Sequence, residues 1–264
     1  LFEQLPLVAI NLIIVNILNI NKDPMMQINF SPEVSSEKTT CIFVNQDILD
    51  CPDNIVNHFP IPEFEDCLLY QEISMPFLLI KKNDNDTPIE LGGKVISAIA
   101  KHKLKNTLIV PPTSAKEHIQ DFILGVQLGG YRFNHYFSEP KNPAPKETTI
   151  LNLHGAEQAF EHASAISSGV HFARDLVSEP SNTLTPEEFK NRVSKLLTPL
   201  GVEVTVLSEK DILKRNMNAL HGVARGSRKP PFVVAMHWKG SKDEPVAVAG
   251  KGVCFDTGGI SLKP

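Results

Sequence analysis

The residues of this chain with the clearest chemical potential lie in a glycine-rich segment near position 250. Lys251, Asp256 and Lys263 fall within residues 250–264, GKGVCFDTGGISLKP, directly after the small-residue run VAVA. The four glycines of the segment allow sharp turns and close approach of the backbone to a ligand. Loops at the carboxyl ends of strands in open α/β sheets are where ligands bind. We therefore expect a tight loop that brings charged side chains toward one point.

Three kinds of structure are compatible with this loop. Glycines beside a lysine are typical of phosphate-binding loops, but the order differs from G-x-x-x-x-G-K-[ST], and Asp256 would repel phosphate unless a metal lay between them. The second is a plain tight turn with a solvated lysine and aspartate. The third is a metal site, with Asp256 as a hard oxygen ligand and the deprotonated amine of a nearby lysine as another. Spacing alone does not favour the metal site over the plain turn.

The elements that lead to this loop alternate between helices and strands. Apolar residues recur every three or four positions over 156–177, which predicts a long helix. His162 and His171 stand on opposite sides of it, so they cannot share a site, and we interpret both as ordinary surface or boundary histidines. Thr185, Pro186 and Glu188 form the pattern of a capping box at the start of a helix. Strands are predicted at 202–207, 232–238 and 246–249, with a short helix over 208–217.

The first half of the chain has the pattern of a parallel α/β sheet. Short apolar runs predict strands at 41–45, 77–80 and 107–110, and the start of another strand near Met26. Helical periodicity is found over 89–104 and 115–128. Three prolines within 140–145 indicate a linker, because proline cannot continue a helix or a central strand.

Composition excludes several classes of protein. Twenty-six basic and 30 acidic side chains give a net charge of −4, which gives no support to a basic surface for nucleic acid. A hydrophobic content of 42% with 21% charged residues is that of an ordinary globular protein and excludes disorder as the dominant state. The four cysteines contain no C-x-x-C pair, so we interpret them as free thiols in a reducing compartment.

Residues 250–264 closely resemble the metal-binding segment of the leucine aminopeptidase family, the cytosolic aminopeptidases of peptidase family M17. Similar agreement is found for 173–182 (ARDLVSEPSN), 217–223 (MNALHGV) and 125–136 (GVQLGGYRFNHY). The resemblance is strong over 125–264, weak over 26–124 and absent over 1–24.

This resemblance implies an enzyme and assigns roles to three residues. Lys251 and Asp256 would be ligands to two divalent metal ions, Mn²⁺ or Zn²⁺, and Lys263 would be the charged catalytic lysine that faces the developing oxyanion. The substrates would be peptides with a free N-terminus, cleaved after a preferred leucine during intracellular protein turnover. The family also implies a cytoplasmic homohexamer, and we expect neither a membrane nor a nucleic acid as a partner.

The expected fold class is α/β, with an α/β/α metallo-aminopeptidase catalytic domain. We divide the chain into an atypical leader or extension (1–25), an N-terminal α/β domain (26–149), a linking helix (150–178) and the first, incomplete part of the catalytic domain (179–264). The apolar stretch 5–20 is short for a bilayer span and lacks a basic flank.

The family's second acidic cluster, of the N-T-D-A-E-G-R type, does not occur in residues 1–264. We therefore expect a fragment or a broken gene, truncated after the first metal-binding loop and inactive alone. The alternative is a non-catalytic relic or binding module.

Overall fold

The computed structural model describes residues 26–31, 39–45, 67–70, 76–112, 115, 117–139, 144–151 and 155–254. These residues have a mixed α/β fold, which confirms the predicted fold class. The chain divides into two compact units, one formed by Asn21–His171 and another that contains Phe172–Pro264. Within the described ranges, no helix is long and apolar enough to cross a membrane. The leader 1–25 and most of the predicted linker lie outside these ranges.

The first unit is built on a six-stranded sheet. Its strands are β1 (Gln27–Ser31), β2 (Thr40–Asn45), β3 (Cys67–Tyr70), β4 (Phe77–Lys81), β5 (Thr107–Val110) and β6 (Glu147–Leu151). The spatial order is β1-β6-β5-β2-β4-β3, and every pairing is parallel except β3 with β4. The central strands β2 and β4 are buried along four consecutive apolar residues, as expected for a parallel sheet covered on both faces.

Two helices of this unit pack closely against each other. Helix α1 (Pro88–Lys101) begins with a reciprocal capping box between Thr87 and Glu90, and α2 (Ile119–Gly129) follows β5. Gly92 of α1 lies against the backbone of Phe122 and Val126, and Gly125 of α2 lies against the backbone of Ile89. The absence of a Cβ at both positions therefore allows direct backbone contact.

The second unit is smaller and more open. The long helix α3 (Ala156–Ser178) runs from the first unit into the second. The next elements are α4 (Pro186–Leu197), a 3₁₀ turn (Thr198–Leu200), β7 (Glu203–Leu207), α5 (Glu209–Lys214), α6 (Asn218–Ala224) and β8 (Val233–His237). Strands β7 and β8 form an antiparallel pair. The buried core of the second unit contains Leu176, Leu184 and Val193. Four partly buried side chains pack around this core: Phe172, Phe189, Leu197 and Val234.

Most predicted elements are confirmed with small shifts of their ends, but several details are wrong. The region 246–249 is not a strand: Val246 and Val248 are 91% and 92% exposed, and in the described chain no strand pairs with them. The helix predicted to reach 217 ends at Lys214, shortly before Asn216 adopts a φ of 56°. The elements β3, β6 and α6 were not predicted.

The capping box at Thr185 is half formed. The hydroxyl of Thr185 accepts from the Glu188 N–H at 3.3 Å, but the N–H of Thr185 donates to the carbonyl of Thr183. The Glu188 carboxylate is instead engaged by a guanidinium one turn later. The interpretation of His171 as a surface or boundary residue is wrong, because its side chain is buried and packs against Tyr131 with ring centroids 5.1 Å apart.

Candidate metal-binding segment

One arginine connects α4 to the end of α3, the helix before it in the chain. Arg192 of α4 donates to the carboxylate of Glu179, just after α3, and to that of Glu188, each at 2.7 Å. The Glu179 side chain is only 5% exposed, so a charged partner is needed to compensate for its lost hydration. Burial lowers the pKa of Arg192, but its hydrogen bonds to both carboxylates outweigh this and raise the pKa. The guanidinium therefore holds α4 against the end of α3.

After the hydrogen bonds of Arg192, the chain continues through strands β7 and β8 toward residue 250. Lys239, just beyond β8, pairs with Glu203 at the start of β7 at 2.6 Å. The chain then turns at 241–243, where the Ser241 hydroxyl donates to Asp243 at 2.5 Å and accepts from the Asp243 N–H. Residues 244–250 continue without regular structure and are exposed.

Lys251 lies at the beginning of the glycine-rich segment with its side chain exposed. Its carbonyl accepts a hydrogen bond from the Val253 N–H at 3.0 Å, so the backbone reverses over three residues as the glycines predict. The Cys254 thiol donates to the Gly252 carbonyl at 3.8 Å, and burial raises the pKa of that thiol. In the described ranges no carboxylate forms an ion pair with Lys251, and its side chain is exposed.

The other two predicted site residues, Asp256 and Lys263, lie outside the described residues. The convergence of Lys251, Asp256 and Lys263 on one site therefore stays a prediction. The described ranges contain no group of three or more His, Cys, Asp or Glu side chains that could hold a metal ion. One amine and one carboxylate suit a divalent ion, but a pair of ions needs further ligands.

Two polar arrangements were missed by sequence analysis. The first is the bridge from Arg192 to Glu179 and Glu188, of which only the i, i+4 spacing of Glu188 and Arg192 is a usable sequence signal. The second is a contact between Cys67 and His102. These residues are 35 positions apart and belong to different elements, so no sequence pattern connects them.

Comparisons with known proteins relate the second unit to one family. Residues 171–264 match the family model described as the cytosol aminopeptidase family, catalytic domain. A probable cytosol aminopeptidase of Brucella melitensis biotype 1 is 43% identical over 194 residues, which cover 69% of this chain and 40% of that relative. The chain thus spans about 40% of the length of the first curated relatives it matches.

Solved structures show the same fold at lower identity. A tomato leucine aminopeptidase variant is 18% identical with a TM-score of 0.67, over 81% of this chain and 51% of that chain. The bottromycin maturation enzyme BotP, in complex with Mn, is 18% identical with a TM-score of 0.57, over 75% of this chain and 44% of that chain.

Proposed function

The chain belongs to the cytosol aminopeptidase family through residues 171–264, and from this premise we propose that the protein is a metal-dependent aminopeptidase. It releases N-terminal amino acids, with leucine preferred, from peptides that have a free N-terminus. The observation that carries this proposal is the family match of the segment that ends in GKGVCFDTGGISLKP. That segment contains the amine and carboxylate that the chemistry requires.

Lys251 and Asp256 are the residues of this chain that would hold two divalent ions, Mn²⁺ or Zn²⁺. Bound there, the ions supply Lewis-acid polarisation of the scissile carbonyl and acidify a water molecule. Lys251 would bind such an ion as a neutral amine, so it would give up its proton to become a ligand. The exposure of the Lys251 side chain supports this role. Mn in complex with BotP is consistent with a divalent ion in this fold.

Lys263 has the opposite role in this proposal. It keeps its proton and donates to the substrate carbonyl oxygen as that oxygen becomes an oxyanion. One short segment therefore contains two lysines in different protonation states, a neutral ligand at Lys251 and a cation at Lys263. The cation lowers the barrier because it interacts more strongly with the tetrahedral intermediate than with the planar substrate.

We also propose a cytoplasmic location, a role in intracellular protein turnover and a homohexameric assembly. The location is supported by the name of the curated relatives, cytosol aminopeptidase, and the assembly by the family resemblance. The polypeptide 1–264 contributes Lys251 and Asp256 but not the family's second acidic cluster. We therefore propose that this polypeptide alone is inactive, and that a binding role remains the alternative for it.

The experiment compares substrates with free and blocked amino groups. The protein encoded by the complete reading frame is assayed with leucine amide and with N-acetyl-leucine amide, beside the polypeptide 1–264. We expect the complete protein to hydrolyse only the free-amine substrate, and residues 1–264 to act no faster than buffer. Absence of leucine release at any tested Mn²⁺ or Zn²⁺ concentration contradicts the enzyme. Manganese-dependent turnover by residues 1–264 contradicts the proposed inactivity of that polypeptide.

A further inference from the structure

A thiol and an imidazole meet at the edge of the six-stranded sheet, in the first unit. Cys67 is the first residue of β3, and His102 follows directly after α1 as its C-cap. The Cys67 Sγ and the His102 Nε2 are 3.4 Å apart, which is a normal separation for a hydrogen bond that involves sulfur. A thiol and an imidazole at this distance can exchange a proton, as in enzymes that use cysteine as a nucleophile.

The pair lies at a partly exposed position of the first unit. Both side chains are half-buried, so a small reagent can reach them while bulk water screens them incompletely. His102 lies at the C-terminal end of α1, where a helix dipole interacts favourably with positive charge. Its sequence neighbours Lys101 and Lys103 are exposed.

Within the described residues, neither of the other two cysteines has an imidazole partner. Cys41 is 2% exposed in β2, and burial raises the pKa of its thiol. The Cys254 thiol donates to a backbone carbonyl. Cys41 and Cys254 therefore provide internal references for an unreactive thiol in the same polypeptide. Cys51 lies outside the described residues.

Among the described residues, the pair is not part of a group of three His, Cys, Asp or Glu side chains that could hold a metal. An imidazole beside a thiol can accept the thiol proton.

We propose that Cys67, with His102 as its base, is a nucleophilic modification site that reacts with hydroperoxides. His102 takes the thiol proton, and the sulfur attacks a peroxide oxygen. An S–O bond forms as the O–O bond breaks, and the leaving oxygen takes the proton from His102. The thiol is oxidised to a sulfenic acid while hydrogen peroxide is reduced to water. This proposal is independent of the aminopeptidase function.

The first test measures alkylation of each cysteine in the purified 264-residue chain. The protein is treated with limiting iodoacetamide at pH 7, and labelling is quantified by peptide mass spectrometry. We expect Cys67 to react at least about tenfold faster than Cys254, and His102→Asn to remove most of that difference. The matched control is His118→Asn, because His118 is exposed and makes no side-chain cap at α2.

Cys41 reports whether the variants keep their fold, because it should stay unlabelled in a native first unit. If Cys41 becomes labelled in His102→Asn, that variant has lost its fold and His102→Gln takes its place. The comparison of Cys67 with Cys254 is made in the unmodified chain and needs no variant. Equal rates for Cys67 and Cys254, or an unchanged Cys67 rate in a folded His102 variant, overturn the proposal.

The second test adds hydrogen peroxide and traps sulfenic acid with dimedone. We expect the adduct at Cys67 in the unmodified chain and in His118→Asn, with a loss of most of it in His102→Asn. Rapid alkylation of Cys67 without a dimedone adduct would overturn the hydroperoxide reaction. An adduct found mainly at Cys254 would overturn the choice of Cys67.

Discussion

Arg192 interacts with two carboxylates of the second unit through one guanidinium. Its loss removes a charge-assisted hydrogen bond from Glu179, whose side chain is 5% exposed. The cost of leaving a charged group poorly solvated exceeds the value of the bond itself. Arg192 remains 29% exposed, so water compensates for part of this cost.

We predict that Arg192→Ala lowers the free energy of unfolding of the second unit by about 1–3 kcal/mol. Urea unfolding followed by the fluorescence of Trp238, the single tryptophan, reports on this unit directly. Arg228→Ala, at an exposed site, is the control and should change stability by less than about 0.5 kcal/mol. Glu179→Gln should restore part of the loss in the Arg192→Ala background, and no restoration would contradict the electrostatic explanation.

At the candidate site, substitutions of the two lysines should change different properties: the metal content for Lys251 and kcat for Lys263. In the complete protein, Lys251→Ala and Lys251→Arg should both lower metal content, because a guanidinium does not deprotonate to become a ligand. Lys263→Ala should lower kcat by roughly 10²–10³ with metal content unchanged, and Lys263→Arg should keep part of the rate.

Metal stoichiometry and kcat are measured together for these four variants. Lys242→Ala, at an exposed lysine nearby, is the control that should change neither. Loss of metal in Lys263→Ala, with metal retained in Lys251→Ala, would reverse the two roles.

Among the elements, helices α1 and α2 are held together by backbone contact through glycine. A Cβ at Gly92 would lie 2.6 Å from the Val126 nitrogen and still closer to the Phe122 carbonyl. A Cβ at Gly93 would have only the Gly125 carbonyl within 4 Å, at 3.9 Å. Adjacent glycines on one helix thus have different packing environments.

We predict that Gly92→Ala destabilises the first unit by about 1–3 kcal/mol, because the two helices must separate. Gly93→Ala should be neutral or stabilising by up to about 1 kcal/mol, since alanine has the better helix propensity. Urea unfolding followed by far-ultraviolet circular dichroism gives both values. Equal destabilisation by the two substitutions would contradict the close packing of α1 on α2.

The elements also show what local sequence can predict. The central strands and α3 were identified because continuous apolar runs and a sustained helical period are local signals. β6 was not predicted because its sequence, ETTIL, has too few apolar residues to give a local strand signal. Its strand conformation is specified by its parallel neighbours β1 and β5. The run 246–249 was wrongly assigned for the converse reason: its residues suit a strand, but a strand also needs a partner.

The same limit applies to the candidate site. The motif around Lys251, Asp256 and Lys263 predicts residues and roles, but their convergence depends on the fold of the whole site. Cys67 and His102 had no motif at all, because their contact arises from the packing of β3 beside the end of α1.

For the molecule as a whole, the second unit exposes several apolar side chains on β8 and the segment that follows. Met236, Trp238, Val246 and Val248 are 53%, 47%, 91% and 92% exposed. Exposed apolar groups, and strands without a second neighbour, favour association between molecules. The first unit, by contrast, buries its apolar strands within the sheet and under its helices.

We predict that the polypeptide 1–264 self-associates in a concentration-dependent manner, measured by sedimentation velocity. Introducing charge with Val246→Asp and Val248→Asp together should reduce this association. The control is Val223→Asp on α6, which adds charge at a separate valine that is 70% exposed. A monodisperse monomer at all concentrations, or equal effects of the control and the double variant, would contradict this prediction.

The most direct test of the proposed enzyme is the metal dependence of leucine p-nitroanilide hydrolysis by the complete protein. The protein is depleted of metal with a chelator and then titrated with Mn²⁺, beside the Asp256→Ala variant. We predict that depletion abolishes turnover, that Mn²⁺ restores it, and that Asp256→Ala stays inactive throughout the titration. Turnover that survives depletion and is unchanged in Asp256→Ala would contradict a metallo-aminopeptidase built on this segment.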